Sequence, residues 1–295
     1  MIDPDYVLFA RLVSAGSIAA AARELRLSPA MASRRLARLE ARLGVRLVQR
    51  TTRRLALTPA GEQFHADVAA ILAAVEAAEA RLTGAAAVPT GLLRVTAPTS
   101  FGRLHVAPRL HRFLDAYPSV TLSFDLSDAF VDLVAEGVDV GVRIAGAVQP
   151  GLEVHRLGDS RRVLCASPGY LARAGSPARL GDLGSHTLLA AEGQMPWRLV
   201  SDTRRTSVDH ASRVETNSSE LVRELALSGV GIALRSLWDV GEALRDGRLV
   251  RVLPEWEGTR DVAIWALHPR APIVSPAVRA FVAFLHETID PAAWE

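Results

Sequence analysis

The chain contains no lysine; all 34 of its basic side chains are arginine. A GC-rich genome accounts for that bias better than chemistry does. Cysteine occurs once, so there can be no internal disulfide and no thiolate metal cluster. Cys165 lies in Arg162-Val163-Leu164-Cys165-Ala166, which reads as a buried strand, and a core role follows. The eight histidines are scattered, and the six-residue spacing of His105 and His111 suits no helix-face metal pair. No metal and no cofactor is expected. No stretch of eighteen apolar residues free of charge exists, so a membrane span is excluded at the sequence level. The opening MIDPDYVLFARL is acidic where a signal peptide needs basic residues, which points to the cytoplasm. Catalytic motifs are missing too. Ser167-Pro168-Gly169 is no nucleophile elbow. Gly229-Val230-Gly231 lacks the remaining glycine and the lysine of a phosphate loop, and no His-Glu-x-x-His occurs. Asp132 and Glu136 read as solvated helix faces. No catalytic residue is assigned, and an enzyme is not expected.

What is present concentrates between Gly16 and Gly61. Ser17 can cap one helix start, and Ser28-Pro29 supplies a second, with proline at the first helical position. The short turn between them, about Leu25 to Leu27, makes a helix-turn-helix whose second helix is the reader. Ala32, Leu36, Leu39 and Leu43 form one apolar stripe on that helix. Met31, Arg34, Arg35, Arg38 and Arg42 point the other way. Residues 1–61 hold eleven arginines against Asp3, Asp5, Glu24 and Glu40, a net +7 in a chain whose total is +2. The remainder therefore carries −5. Positive charge localised on a small N-terminal unit is a nucleic-acid footprint. Alternation then puts Val45, Leu47, Leu55 and Leu57 on one face of a hairpin. Its tip, with Arg50, Thr51, Thr52, Arg53 and Arg54, reads as a wing that grips phosphates or enters the minor groove.

These features resemble the LysR-type transcriptional regulators. The pattern is carried by Gly16, Ser17, Ala21, Ala22, Leu25, Ser28, Ser33, Arg34, Leu39, Glu40, Leu43, Gly44, Leu47, Arg50, Arg54, Leu57, Thr58, Ala60 and Gly61. The resemblance implies a winged helix-turn-helix on double-stranded promoter DNA. It also implies that Pro29, Ala30, Met31, Ser33 and Arg34 approach base edges while the wing arginines touch backbone. With Ser17, Ser28, Arg35 and Arg38, these are the candidate DNA contacts. Met31-Ala32 departs from the commoner Ala-Val at that place, so no known operator transfers.

Thr58-Pro59 starts a further helix to about Thr83. Phe64, Val68, Ile71, Val75, Ala78 and Leu82 recur at coiled-coil spacing, which predicts self-association through this helix. Packing on its own domain is the other reading. Gly84 to Pro89 then forms an uncharged hinge. From Gly91 strands alternate with helices: strand Leu92–Ala97, helix Phe101–Tyr117, strand Val120–Leu126, helix Ala129–Glu136 and strand Val138–Ile144, a βαβ pattern that predicts a parallel sheet. A second set comprises Arg162–Ala166, Leu188–Ala190, Val214–Thr216, helix Ser219–Ser228, Gly231–Leu234 and Val262–Leu267. A last helix runs to about His286, capped by Ser275-Pro276. The runs LRVTAPTSFGRLHVAPRL, SDAFVDLVAEGVDVGVRI and RRVLCASPGYL resemble the two-lobed, periplasmic-binding-protein-like effector domain of the same family. The fold class is therefore α/β. The expected parts are residues 1–61 as head, 62–90 as linker helix and hinge, and 91–295 as effector domain. Lobe I covers about 91–160 and 268–295, and lobe II about 161–267.

In open α/β folds ligands bind beyond the carboxyl ends of strands. Ala97-Pro98-Thr99-Ser100-Phe101 is the first such place, and its free amides favour an anion. Thr99 or Ser100 is expected to cap the helix that follows. Ser127-Asp128, Arg143–Ala145, Thr216-Asn217-Ser218 and Leu234-Arg235 are similar strand ends. By resemblance, the cleft between lobes draws on these places for a small organic, anionic effector. The candidate contacts are Thr99, Ser100, Phe101, Ser127, Asp128, Arg143, Thr216, Asn217 and Leu234. Trp197 either walls the cleft or packs at the surface. The sequence thus reads as an effector-modulated, sequence-specific DNA-binding regulator, a homodimer or homotetramer. Two alternatives stay open: a small-molecule binding or transport protein, and a constitutive architectural DNA-binding protein.

Overall fold

The structure, a computed structural model, describes residues 3–50, 55–83, 88–271 and 273–294. They form two compact units, Met1–Leu92 with Ala271–Arg279, and Leu93–Arg270 with Ala280–Glu295.

In the first unit, local signals set the helix ends. Helix α1 (Pro4–Ala15) starts where the Asp3 side chain accepts from the Asp5 amide, and stops at Gly16, whose φ of 67° suits glycine. Ser17 caps α2 (Ile18–Glu24) and Ser28 caps α3 (Pro29–Leu43), each accepting from the amide three residues on. Between α2 and α3, Arg26 takes a φ of 54°, and the turn closes with Leu27 N donating to the Ala22 carbonyl. Ala32, Leu36 and Leu39 are buried against Leu8, Phe9, Leu12, Ala21 and Ala22, as the stripe predicts.

The hairpin starts later than the alternation suggests. Strand β1 (Val48–Arg50) pairs antiparallel with β2 (Leu55–Leu57), Val48 opposite Leu57. Val45 is exposed, not on a common face with Leu47. The cause is Glu40: its carboxylate accepts from the amides of both Leu47 and Val48, turning both side chains into the core. Residues 51–54, the tip of the expected wing, lie outside the described residues.

Helix α4 (Pro59–Thr83) runs as expected, but the seam divides. Phe64 packs on Tyr6 and Phe9, with ring centroids 5.4 and 5.5 Å away, and Val68 is buried. Phe64 therefore serves the head's own core. Ile71 is 49% exposed. The side chains of Ala78 and Leu82, and the hinge residues 84–87, lie outside the described residues.

The second unit has two lobes. Strand β3 (Gly91–Ala97) leads into helix α5 (Thr99–Phe101), which continues through a π turn, Gly102–Val106, and a 3-10 turn, Ala107–Arg109, into α6 (Leu110–Ala116). Pro108 has no amide to give, which breaks the single helix expected over 101–117. After β4 (Val120–Leu126) the expected helix at 129–136 is absent. Asp132 instead accepts from the amides of Val134 and Ala135, closing one local turn that ends at Gly137. Then come β5 (Val140–Ala145), β6 (Leu152–Asp159), β7 (Arg162–Ala166), α7 (Pro168–Ala174), β8 (Leu188–Leu189), β9 (Trp197–Val200) and β10 (Arg205–Val208). They are followed by α8 (Ser219–Leu227), β11 (Ile232–Ser236), α9 (Leu237–Arg245), β12 (Val250–Arg251), β13 (Glu257–Gly258), β14 (Ala263–Pro269) and α10 (Pro276–Thr288). The expected strand at 214–216 is irregular backbone.

Lobe I holds the sheet β4-β3-β5-β14-β6, and lobe II holds β10-β9-β13-β7-β11-β8, with β12 on β7. Both are mixed, not parallel. Pairing is parallel for β3 with β5 and for β8 with β11, whereas β14 runs antiparallel to β5 and β6. The 262–267 strand therefore belongs to lobe I, not lobe II. The chain returns from lobe II immediately before β14, and seven register pairs with β6 hold that strand in the first sheet. The two lobes are joined by short crossings, one at Ser160-Arg161 and one between β13 and β14.

Candidate DNA interface and interlobe site

The reading helix presents a sorted face. Pro29, Ala30, Met31, Ser33 and Arg34 are exposed. Among the described residues, Arg34 makes no hydrogen bond or ion pair. Ser17 and Ser28 serve as helix caps. Arg35 departs from the expected groove face: it donates to the Asp5 carboxylate at 2.5 Å, and its side chain is 19% exposed. Arg38 also approaches Asp5, at 3.9 Å, but its side chain stays 69% exposed. Arg42 pairs with Asp3 at 2.5 Å and lies over the Tyr6 ring. Asp3 is held below the usual carboxylate range, first by the Asp5 amide and then by Arg42. Part of the arginine face is thus spent on α1, and the free charge gathers at the front of α3. Thr51, Thr52, Arg53 and Arg54 lie outside the described residues, and Arg50 ends β1.

In the second unit the expected strand ends meet across the lobes, with changed roles. Neither Thr99 nor Ser100 caps α5. The Thr99 amide instead donates to Asp128 Oδ1 at 2.8 Å, and the Ser219 amide, at the start of α8 in lobe II, donates to Asp128 Oδ2 at 2.8 Å. The turn that presents Asp128 is fixed by Ser127, whose amide donates to the Ala97 carbonyl and whose hydroxyl accepts from the Ala129 amide. Ser100 is 1% exposed, and its hydroxyl has no hydrogen-bond partner among the described residues. Arg143, 5% exposed, donates to the Val142 carbonyl and reaches Thr96 Oγ1 at 3.5 Å, with no carboxylate in ion-pair contact among the described residues. Burial lowers its pKa.

Two candidates are core residues. Phe101 is fully buried, its ring 5.2 Å from Trp238 across the lobes. Leu234 packs inside lobe II, together with Trp197. Thr216 accepts from the Ser218 amide, which shapes the approach to α8, and Asn217 is exposed. Cys165 is buried, and burial pushes its thiol up to about 12, so it is inert as a nucleophile.

The strand-end reading undervalued Arg235 and missed Asp239, Glu40 and His105. Arg235 donates to Asp239 Oδ2 through two nitrogens, at 2.8 and 2.5 Å, and to Ser219 Oγ at 2.9 Å. Gln194 Nε2 also donates to that hydroxyl. An Arg and an Asp four apart were the available signal, but their burial came only with the fold. His105 Nε2 donates to the Trp238 carbonyl at 2.9 Å, and Arg103 meets Glu220 at 2.6 Å; both contacts join the lobes. Elsewhere on lobe II, a cavity of about 790 Å³ is lined by Arg204, Arg205, Arg260, Asp202, Asp261 and Thr259. Its arginines are exposed, and among the described residues their side chains make no hydrogen bond or ion pair.

Among the described residues no cluster of three His, Cys, Asp or Glu side chains could hold a metal ion. No described helix is long and apolar enough to cross a membrane.

A basic helix-turn-helix head in one chain with a two-lobed α/β domain defines a class: DNA-binding regulators with a ligand-sensing half. The model for bacterial regulatory helix-turn-helix proteins of the lysR family matches residues 5–62, and that for the LysR substrate binding domain matches residues 86–290. The chain belongs to the LysR family of transcriptional regulators. It is 38% identical over 287 residues to the HTH-type transcriptional regulator DmlR of Escherichia coli strain K12, covering 96% of this chain and 93% of that one. It is 34% identical over 294 residues to the transcriptional activator TtdR of Escherichia coli strain UTI89, covering 98% and 92%. Among solved structures it resembles CrgA of Neisseria meningitidis, with a TM-score of 0.62 and 30% identity over 98% of this chain and 99% of that one. It also resembles the full-length Vibrio cholerae virulence activator AphB, with a TM-score of 0.62 and 27% identity over 98% and 100%. The chain is thus an HTH-type transcriptional regulator with an effector-binding domain, and its family consists of regulators, not enzymes. That sets aside the transport and architectural alternatives.

Proposed function

We propose that this regulator reads promoter DNA through Pro29, Ala30, Met31, Ser33 and Arg34, with Arg38 and the wing residues Arg50, Thr51, Thr52, Arg53 and Arg54 holding phosphates. The observation that carries this reading is Arg34: an exposed guanidinium, without a partner among the described residues, on the first turns of a helix built to enter the major groove. Two such heads pair through α4 beyond Val68, where Ile71 is exposed, on a two-fold site. The protein acts in the cytoplasm, where its DNA is.

We further infer that the effector is a small organic acid seated between the lobes. Arg143 and the Ser100 hydroxyl support this, and the Thr99 and Ser219 amides beside them already hold one carboxylate, that of Asp128. The buried Arg143 has no ion-pair partner among the described residues, and a buried cation favours an anionic guest. Ser127 and Thr216 shape the turns beside the site, and Asn217 stands at its exposed edge.

The test is a thermal-shift panel on the full-length protein, pairing small organic acids with their neutral amides. At least one acid should raise Tm where its amide does not, and the same acid should alter the footprint on operator DNA. A panel in which only neutral compounds act, or none does, overturns the effector reading.

A further inference from the structure

Asp128 spends both carboxylate oxygens on backbone amides, one from each lobe. Fixed amides that converge on one place, at the start of α8 and beside the buried start of α5, are what a ligand's carboxylate would seek. Here the chain's own carboxylate fills that place. A second observation marks it as a binding position and not only a turn. Ser100 follows Thr99 in α5, the helix that packs against α8. Ser100 is 1% exposed, and its hydroxyl lacks a partner among the described residues. A buried hydroxyl is normally satisfied, and this one keeps its O–H free to donate to an acceptor on a guest. The neighbouring Ser219 hydroxyl is already taken by Arg235 and Gln194.

Beyond the Ser127 turn, the segment that carries Asp128 is lightly covered. Ala129 and Phe130 are exposed, Phe130 by 69%, and no helix or strand covers residues 127–137. Leu133, 3% exposed, anchors the far end in a small core with Leu152 and Leu267.

We infer that Asp128 is a tethered stand-in for the effector's carboxylate. It latches the two lobes together in the free protein, and it must swing out when an acid takes its place. This rests on the proposed reading that an organic acid binds between the lobes. A tethered competitor acts at high effective concentration, so it weakens the apparent affinity for every monocarboxylate. It therefore selects acids with a second polar group, one that can use the spare Ser100 hydroxyl.

The test is hydrogen exchange on the full-length protein, read in the peptides that contain Thr99 and Ser219. Wild type, Asp128→Ala and Asp128→Asn are compared in sodium acetate and in sodium chloride of equal ionic strength. Acetate reproduces the missing carboxylate and its methylene carbon. In chloride, Asp128→Ala should exchange both segments roughly tenfold faster or more, since each lost charge-assisted bond changes local opening by about that factor. Acetate should restore protection in that variant and leave the wild type unchanged. Unchanged protection in Asp128→Ala, or acetate no better than chloride, overturns the latch. Should Asp128→Ala fail to fold, Asp128→Asn decides, because it keeps the shape and drops the charge. Faster exchange in both segments supports the latch, and wild-type exchange overturns it. The underlying effector reading fails separately. Acetate rescue of Asp128→Ala beside a wild type that answers no acid in the panel keeps the latch and removes the effector. An acid response in wild type without acetate rescue does the reverse.

Discussion

The Arg35 guanidinium donates to the Asp5 carboxylate at 2.5 Å, tying the reading helix to the first helix of the head. Asp5 is 8% exposed, so its charge is tolerable only while that partner stays. Arg35→Ala should cost about 1–3 kcal/mol of stability, most of it from stranding the carboxylate. Asp5→Asn/Arg35→Ala should recover part of the loss. Urea unfolding followed by circular dichroism checks both, and a double variant no more stable than Arg35→Ala would argue against the pairing.

Gly61 tests how the hairpin sits on the linker helix. A Cβ there would lie 2.0 Å from the Leu47 carbonyl oxygen, a backbone atom that cannot step aside. Leu47 is fully buried, and its carbonyl accepts from the Thr58 amide. Gly61→Ala should therefore destabilise the head by about 3 kcal/mol, beyond ordinary overpacking. Differential scanning calorimetry should show the head's transition fall while that of the effector lobes holds.

Acid should weaken the lobes. His105 is neutral in the fold, donating to the Trp238 carbonyl, and burial holds its pKa below the ordinary 6.5. His155, in contact with His268 at 3.1 Å, is lowered in the same direction by burial and by that neighbour. The unfolded chain takes up both protons first, so stability rises with pH across the interval between folded and unfolded values. Tm should therefore be flat above about pH 7.5 and fall as pH drops below about 6.5. His105→Gln keeps an N–H donor and has no proton to gain, and its slope should be shallower. A Tm independent of pH between 5 and 7 would contradict this assignment.

Much of the molecule was legible because its signals are local. Ser17, Ser28-Pro29, Gly44 and Ser275-Pro276 mark helix ends through their own side chains or backbone freedom, and the Ala32, Leu36, Leu39 stripe needs only helical spacing. The illegible parts depend on partners far away in sequence. Glu40 shifts the hairpin because two distant amides reach it. Phe64 carries coiled-coil spacing but is claimed by Tyr6 and Phe9, and Val68 is buried within the chain. Lobe membership of β14 is decided by pairing with β5 and β6, which no window around residue 265 contains. At the interlobe site the fold gives several of the named residues contacts that their place at strand ends did not suggest. Asp128 was read as a contact for the effector; in the fold its two carboxylate oxygens accept from the Thr99 and Ser219 amides. Leu234 lies mid-strand in β11 and Phe101 within α5, and both fill cores, while Arg235 beside Leu234 makes the polar contacts.

The central claim is that an arginine-fronted helix reads a particular promoter sequence. Fluorescence anisotropy of the full-length protein tests it most directly, on a duplex from the DNA upstream of its own coding sequence and on a scrambled duplex, across a salt series. Wild type should prefer the upstream duplex, with affinity falling steeply and log-linearly with salt on both. Arg34→Ala should lose about 1–3 kcal/mol on the upstream duplex and far less on the scrambled one, with stability changed by no more than about 0.5 kcal/mol. Equal binding of both duplexes by wild type, or an equal loss on both in Arg34→Ala, would contradict base reading by this helix.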